Sequence, residues 1–261
     1  MRLDRYIAEA MGITRSEAKQ LLSHGQVRVA GAVCKKGDAQ VSEADEVSVS
    51  GKPLAGAQKF VYIMLNKPQG VVSAREDKRD VTVTDLVAEG FPRRELFPAG
   101  RLDKSSTGFV LLTDDGALAH NLLSPRHHVT KTYAVLLDTP LTEEMQKGFE
   151  AGVTLADGTA LRPAGLQAAP AGIQVCPALA ARVEGAESGQ PVCAPDPRLA
   201  LVELRQGVYH QIKRMFGVYG AGVDGLHRLA IGPVSLDETL APGQWRELTA
   251  EEISMLKKAH R

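Results

Sequence analysis

Apolar runs of strand length recur along this chain, and helices do not separate them in regular alternation. The runs that read as strands are FVYIML, FVLLT, KTYAVLLD and LALVEL. The segments that read as helices are 116–123, 142–150, YHQIKRMFGVYG and TAEEISMLKKA. Strict alternation would favour a doubly wound parallel sheet. The irregular order instead predicts an α+β fold, with a mixed and mainly antiparallel sheet flanked by helices.

The first fifty residues form a module of their own. Residues 3–11 predict a helix that ends at Gly12, and Thr14-Arg-Ser-Glu17 matches a capping box that opens a second helix. Short alternating strands follow, separated by turns. We therefore expect a small N-terminal domain at 1–50.

The rest of the chain divides by composition. GKPLAGAQK, at 51–59, has the composition of a linker, so a larger domain is expected at 60–261. Within it, residues 180–198 are rich in Gly, Pro and polar residues, which predicts a mobile loop.

Charge is balanced over the chain but not along it. The formal net charge of zero argues against a protein held to nucleic acid by bulk charge alone. Residues 1–41 nevertheless hold seven Lys or Arg against four acids, and residues 205–228 hold four against Asp224. Positive patches of this kind fit a polyanionic partner that is met on one face. Ordinary solvated faces explain the same pattern equally well.

The cysteines and the N-terminus bear on the compartment. The three cysteines, Cys34, Cys176 and Cys193, are odd in number and lack CxxC spacing, which argues against a disulfide framework and a zinc ribbon. MRLDRYIAEA lacks the apolar core of a signal peptide, and no apolar run approaches the roughly 18 residues of a membrane span. A cytoplasmic setting without membrane partners is therefore expected.

Two motifs suggest ligands that their context does not support. Residues 220–225 satisfy G-x-G-x-x-G, but they follow a helix and lead towards LHRLAIG, whereas a dinucleotide site needs a preceding strand and a following helix. His127 and His128, with His120 nearby, lack a carboxylate or Cys to complete a metal site. Neither a nucleotide cofactor nor a metal is predicted.

Carboxylates of the central segment allow two interpretations. Asp114-Asp115-Gly116 predicts a turn whose side chains also cap the following helix. A glycosidase uses two carboxyl groups at a set separation, and Asp115 stays open as the partner of Asp103 in such a site.

Residues 97–116, FPAGRLDKSSTGFVLLTDDG, place Arg101, Asp103 and Lys104 directly before a run built for burial. Charges at the mouth of a buried strand are tolerated when they are solvated, paired or functional. With YIMLNKPQGVV, SPRHHVTKTY and YHQIKRMF, in that order and spacing, the segment resembles the pseudouridine synthases. MRLDRYIAEAMGITRSEAKQLLSHGQVRVAG resembles an S4 RNA-binding domain, which narrows the resemblance to the branch that modifies ribosomal RNA.

The resemblance implies a reaction without cofactor or metal. Uridine becomes pseudouridine when the N1–C1′ bond breaks, the uracil turns and C5 rejoins the ribose. SPRHHVTKTY, LNKPQG and LAPGQWRELTAEEI are most similar to the small-subunit members, so uridine 516 of 16S ribosomal RNA is the expected target. A monomer that acts on small-subunit assembly intermediates is expected. A 23S enzyme, or an S4-type RNA-binding protein with an inactive site, is the alternative.

Five residues take their roles from the family motifs. Asp103 is implied to act at C1′ or C2′ of the ribose, and Lys213 to be its basic partner. An opposite charge within about 4–6 Å favours the ionised carboxylate. Tyr133 is implied to stack on the target base, with Leu226 packing on its other side. Arg101 is implied to fill the gap that the extruded uridine leaves in the RNA.

Further basic side chains are expected to contact RNA. Those of the N-terminal module are Arg2, Arg5, Arg15, Lys19, Lys35 and Lys36, and those of the larger domain are Arg126, His127, His128 and Arg214. Arg214 lies about 100° around its helix from Lys213, so the two cannot face the same point. The chain departs from the family pattern at Gln206-Gly207, where Glu-Gly is usual, and in a long 170–200 segment.

Overall fold

The computed structural model describes residues 1–42, 45–54, 60–92, 94–124, 129–170, 179 and 196–259. These form two compact units, Met1–Phe60 and Val61–Arg261. Most of the expected linker, residues 55–59, and most of the expected mobile loop, residues 180–195, lie outside the described residues. No helix in the described ranges combines the length and the apolar character needed to cross a membrane.

The N-terminal unit packs two helices on a small antiparallel sheet. Its helices are α1 (Leu3–Met11) and α2 (Arg15–Ser23). Its strands are β1 (Val27–Val29), β2 (Ala32–Val33), β3 (Val47–Val49) and β4 (Lys52–Pro53), in the order β2-β1-β3-β4. The predicted capping box of α2 is confirmed, because Thr14 Oγ1 accepts from Glu17 N at 3.2 Å and Glu17 Oε2 accepts from Thr14 N at 2.6 Å.

The larger unit is built on one extended sheet. Its strands are β5 (Tyr62–Lys67), β6 (Phe97–Pro98), β7 (Thr107–Thr113), β8 (Lys131–Leu137), β9 (Gly165–Ala168), β10 (Leu199–Leu204), β11 (Val223–Ile231), β12 (Val234–Ser235) and β13 (Trp245–Glu247). The order is β13-β5-β7-β11-β8-β10-β9, with β6 beside β7 and β12 beside β11. Neighbours are antiparallel except β7 and β11. The predicted α+β fold with a mixed, mainly antiparallel sheet is confirmed.

Short helices flank this sheet. They are α3 (Gly116–Leu123), α4 (Glu143–Ala151), α5 (Gln211–Gly217) and α6 (Ala250–Lys258), with a 3₁₀ turn at Asp85–Val87. The helix expected over YHQIKRMFGVYG is shorter than predicted. It begins only at Gln211, because His210 has a φ of 50°, in the left-handed region that no helix can include.

One glycine lets the central strands meet. Gly108, in β7, has a φ of 99°, and a Cβ at this position would overlap the backbone of Arg228 in β11. A side chain would therefore separate the only parallel pair among the described strands. Because β7 begins at Thr107, this close approach also fixes the position of the polar loop that precedes it.

Candidate active site

The loop at 101–106 rests on a buried lysine. Lys67 ends β5 with no exposed surface, and its Nζ donates to the carbonyls of Pro68 at 3.1 Å, Asp103 at 3.1 Å and Ser106 at 2.7 Å. An ammonium has three donors, so these contacts satisfy it. Burial lowers the pKa of Lys67 to about 8, against the opposing effect of the Asp103 charge. The group is therefore largely protonated at neutral pH and stabilises the loop through its hydrogen bonds to these carbonyls.

Two further contacts complete the support of this loop. Ser73 Oγ donates to the carbonyl of Leu102 at 2.9 Å and accepts from its backbone N at 3.0 Å. Gly70 N donates to the carbonyl of Lys104 at 2.8 Å. The backbone on both sides of Asp103 is thereby tied to the segment that follows β5. Catalytic side chains need support of this kind, because small displacements of a reacting group are costly.

The Asp103 side chain faces two groups from the start of α5. Its Oδ2 lies 3.9 Å from Lys213 Nζ, and its Oδ1 lies 3.3 Å from His210 Nε2. The carboxylate is 31% exposed, so it is open to a substrate while it keeps a charged neighbour. Lys213 Nζ also donates to Ser105 Oγ at 3.1 Å, which holds the ammonium over the loop.

Lys213 and Arg214 face different neighbours, as their spacing on a helix requires. The guanidinium of Arg214 pairs with the carboxylate of Asp157, on the turn after α4. The basic side chain of α5 that faces Asp103 is therefore Lys213 and not Arg214. Arg214 is 32% exposed beside its partner, and its expected contact with RNA stays a prediction.

Tyr133 and Leu226 share one side of the sheet. Tyr133 lies opposite Arg228 in the β8–β11 pairing, and Leu226 lies opposite Val135. Tyr133 packs against the apolar cluster that contains Leu226 and also against the cluster that contains Leu102, the neighbour of Asp103. The half-buried ring thus contacts both apolar clusters, and its expected stacking on a base stays a prediction.

Arg101 occupies the outer side of the same loop. Its side chain is exposed, whereas Leu102 beside it is buried in the apolar cluster of β5 and β7. Alternation of exposed and buried positions separates Arg101 from the Leu102 anchor and leaves it accessible to RNA.

Asp115 does not serve as a second catalytic carboxylate. Its Oδ1 accepts from Leu118 N at 3.0 Å and caps α3, and its Oδ2 accepts from the Tyr62 hydroxyl at 2.8 Å. It is 5% exposed. The predicted capping role is confirmed, and the glycosidase interpretation loses its carboxylate pair. Residues 220–225 lead into β11 and not into a helix, so their G-x-G-x-x-G spacing has no dinucleotide geometry.

The basic residues expected of the N-terminal unit are exposed but differently engaged. Arg2, Lys19 and Lys35 line one shallow concave surface. Arg2 also pairs with the buried Asp4 at 2.9 Å, and Arg5 pairs with Glu9 at 2.7 Å. The other two members of the set, Arg15 and Lys36, are exposed. Arg126, His127 and His128 lie outside the described residues.

Sequence reasoning gave no role to Lys67, Ser73, Ser105 and His210. Lys67 and His210 stand inside the motifs YIMLNKPQGVV and YHQIKRMF, so the motifs could have directed attention to them. A lysine that closes an apolar strand is a weak signal of burial by itself, since lysines are seldom buried. The two serines carry no signal in the sequence.

Comparisons with known proteins identify the family of each unit. The family described as RNA pseudouridylate synthase matches residues 61–217, and the S4 domain family matches residues 1–47. An uncharacterised RNA pseudouridine synthase of Bacillus subtilis is 40% identical over 259 residues, which cover 99% of each chain. A ribosomal small subunit pseudouridine synthase A of Pasteurella multocida is 38% identical over 260 residues, which cover 99% of this chain and 100% of that one.

A solved structure is similar over the whole chain. It is described as a crystal structure of a pseudouridylate synthase, and it aligns with a TM-score of 0.62 at 36% identity. The alignment covers 98% of this chain and 99% of that chain. Sequence and fold thus agree across both units.

Proposed function

The chain belongs to the RNA pseudouridine synthase family and contains an S4 domain, and from this premise we propose that it isomerises uridine 516 of 16S ribosomal RNA. The observation that carries the reaction is the Asp103 carboxylate, open to substrate and flanked by Lys213 and His210. Joint presence of Asp103, Tyr133 and Lys213 argues against a protein that only binds RNA.

The carboxylate acts at the ribose. Asp103 either adds to C1′ or removes the proton at C2′, and both roles use the carboxylate that faces Lys213 Nζ at 3.9 Å. The N1–C1′ bond breaks with its electron pair leaving on N1 of the uracil. The uracil then turns and its C5 bonds to C1′. As this bond forms, the Asp103–C1′ bond breaks or, in the other route, the proton that Asp103 removed returns to C2′. C5 then loses its proton, and N1 gains one. Atoms and charge balance without any further reactant.

The other site residues position the nucleotide. A uridine inside an RNA helix is stacked and paired, so it must be extruded before Asp103 can reach its ribose. Tyr133 and Leu226, packed beside the catalytic loop, would bracket the extruded base, and the exposed Arg101 would occupy the space it leaves. The exposed basic residues of the S4 domain would hold the surrounding phosphates.

The choice of small-subunit RNA rests on similarity and on one physical consideration. Relatives at 36–38% identity over the full chain bear the name ribosomal small subunit pseudouridine synthase A. Every uridine offers Asp103 the same ribose, so discrimination between RNAs must come from residues around the site. Arg126, His127 and His128, just upstream of Tyr133 in the sequence, are proposed for that role.

Two experiments test the target. Pseudouridine is mapped in ribosomal RNA from cells with and without the gene, and one missing site in 16S RNA is expected. Purified enzyme is then offered naked 16S RNA, naked 23S RNA and small-subunit assembly intermediates. We expect modification in the assembly intermediates, where bound protein holds the RNA in shape. Modification confined to 23S RNA would overturn the target and leave the reaction class in place.

A further inference from the structure

A tyrosine with a highly exposed side chain directly precedes His210, the histidine that contacts Asp103. Tyr209 is 76% exposed, the largest value among the exposed large apolar side chains of the described residues. Single exposed apolar residues are ordinary on protein surfaces and need no explanation by themselves. Three further observations suggest a role for Tyr209: its partner, the turn that carries it, and the contact of that partner with Asp103.

The partner is His210. The two rings are stacked, with centroids 3.9 Å apart and planes 14° from parallel. Sequence neighbours rarely face each other, because their side chains diverge along a regular backbone. The stack covers one face of the tyrosine ring, and the high exposure of the residue leaves the other face to solvent. We call this pair the Tyr209–His210 stack.

The turn that carries the stack is fixed on both sides. Gln211 N donates to the carbonyl of Val208 at 3.1 Å, and Val208 N donates to Gln211 Oε1 at 3.1 Å. Gln211 is 4% exposed, so this reciprocal pair is anchored in the unit. His210 between them has the left-handed φ of 50°, a conformation that is strained for a residue with a side chain. Such conformations concentrate at functional sites.

The stack adjoins the reacting group. His210 Nε2 lies 3.3 Å from Asp103 Oδ1, so the inner ring of the stack contacts the carboxylate. An RNA base on the open face of Tyr209 would form a third layer counted outward from the site. Extrusion of the target uridine removes a stacking neighbour from the nucleotide on each side, and Arg101 would enter the gap between them. An adjacent base that Arg101 does not cover has an unstacked face. Bases stack well on aromatic side chains.

We propose that the Tyr209–His210 stack is a binding platform for the base of a nucleotide adjacent to the target uridine. This proposal rests on the proposed function, and it adds a contact with the substrate that the proposed function does not include. Because every base has an aromatic face, the platform accepts any base, and its contribution is to affinity and placement, not to bond breaking. Phosphate charge plays no part in it.

Tyr209→Ala and Tyr209→Phe test the platform on an RNA that the wild-type protein modifies, under single-turnover conditions. Tyr209→Ala should raise the RNA concentration for half-maximal rate by about 5- to 160-fold, the range for one base–aromatic stack. The maximal rate should stay within about twofold, because Asp103 and Lys213 are kept and the bonds between Val208 and Gln211 still hold His210. Tyr209→Phe keeps the ring and should behave as the wild type.

Two controls separate stacking from other effects. The slope of log K against log salt should be equal for wild type and Tyr209→Ala, since no phosphate contact is lost. Val218→Ala removes another exposed apolar side chain, 46% exposed at the end of α5, and should change neither affinity nor rate. Melting temperatures should agree among all variants, because both side chains are exposed.

The outcomes are distinguishable. Wild-type affinity for Tyr209→Ala, or an equal loss in Tyr209→Phe, overturns the platform while the proposed function stands. A reduced salt slope in Tyr209→Ala overturns it as well, because the lost contact would then be electrostatic. A wild-type protein that forms no pseudouridine in any ribosomal RNA overturns the proposed function, and the platform with it.

Discussion

At the residue scale, the roles proposed for Asp103 and Lys213 can be separated by experiment. Asp103→Asn keeps the shape and removes the ionised carboxylate, so turnover should fall to background while RNA binding remains. Lys213→Met should lower the rate less completely, because Lys213 orients and stabilises the carboxylate without reacting. The measurement is the single-turnover rate of pseudouridine formation together with the affinity for RNA.

Arg214→Met is the matched control for Lys213→Met. The guanidinium of Arg214 pairs with Asp157 and does not meet Asp103, so its loss should leave the maximal rate near that of the wild type. A wild-type rate for Lys213→Met with a low rate for Arg214→Met would transfer the role to Arg214. Activity of Asp103→Asn above a few per cent of the wild type would remove Asp103 from the reaction.

A second residue-scale prediction concerns acid stability. His227 is 3% exposed, and burial lowers its pKa to about 4. Between pH 6.5 and 4 the unfolded chain binds a proton at this position that the folded chain does not bind. The free energy of unfolding therefore falls as pH falls through this window, by up to about 1.4 kcal/mol per pH unit for one such group.

His227→Asn should reduce this loss of stability, measured by denaturant unfolding at pH 7 and pH 4.5. An amide can still pair with the Thr107 hydroxyl, which lies 2.9 Å from Nδ1 in the wild type. His120→Gln changes an exposed histidine of α3 in the same unit and should keep the wild-type acid sensitivity. An unchanged difference in stability between the two pH values for His227→Asn would contradict the prediction.

At the scale of elements, the end of β5 supports the start of β7 through Lys67. Lys67→Met keeps the length of the side chain but removes every donor to the carbonyls of Asp103 and Ser106. Stability should fall by about 3 kcal/mol or more, since buried carbonyls lose charged partners. The maximal rate should fall at least about tenfold, because the backbone that aims Asp103 is released. Denaturant unfolding and single-turnover rates measure the two effects.

Lys131→Met is the control for that change. Lys131 donates to the carbonyls of Leu122 at 2.9 Å and Val129 at 2.8 Å, and burial lowers its pKa to about 8 as well. It therefore resembles Lys67 in donating to backbone carbonyls, but it is only half-buried and supports the end of α3. Lys131→Met should lose stability, but it should keep a larger share of the wild-type maximal rate than Lys67→Met keeps. Equal rate losses in both variants would mean that Lys67 has no special relation to the catalytic loop.

At the scale of the whole molecule, the two units have separate cores. The cluster around Leu3, Ile7 and Leu22 draws on residues of Met1–Phe60, and the clusters around Phe149 and Val110 draw on residues of Val61–Arg261. A chain reduced to residues 61–261 should therefore fold, with RNA affinity that is weaker and less sensitive to salt. Each lost phosphate contact lowers the salt slope by about 0.7–0.9.

Lys19→Ala with Lys35→Ala, in the full chain, tests the same prediction without truncation. Both side chains line the concave surface of the N-terminal unit, and neither belongs to its apolar core. The double variant should unfold at the wild-type temperature and bind RNA with a slope reduced by up to about 2. The wild type, the double variant and the shortened chain are compared. Equal affinity and equal salt slope for all three would refute RNA binding by the N-terminal unit.

Local interactions allowed many helices and strands of this protein to be predicted from its sequence. Thr14 with Glu17 and Asp115 with Leu118 form caps within three or four residues, so the helices they begin could be predicted nearly to the residue. Apolar runs located the strands, and their irregular order indicated the α+β class. The start of α5 was misplaced, because the left-handed backbone of His210 depends on the pairing of Val208 with Gln211 around it.

The sequence by itself determined the candidates for the chemistry, since motif order and residue type bring Asp103, Tyr133 and Lys213 to attention. The tertiary structure alone decided which groups meet. Lys67 reaches a carbonyl 36 positions later, and Lys213 reaches a serine 108 positions earlier. Contacts of that range follow from strand register and from the close approach at Gly108, and no local pattern encodes either. The periodicity of apolar residues specifies the helices and strands, whereas tertiary packing specifies which residues become neighbours.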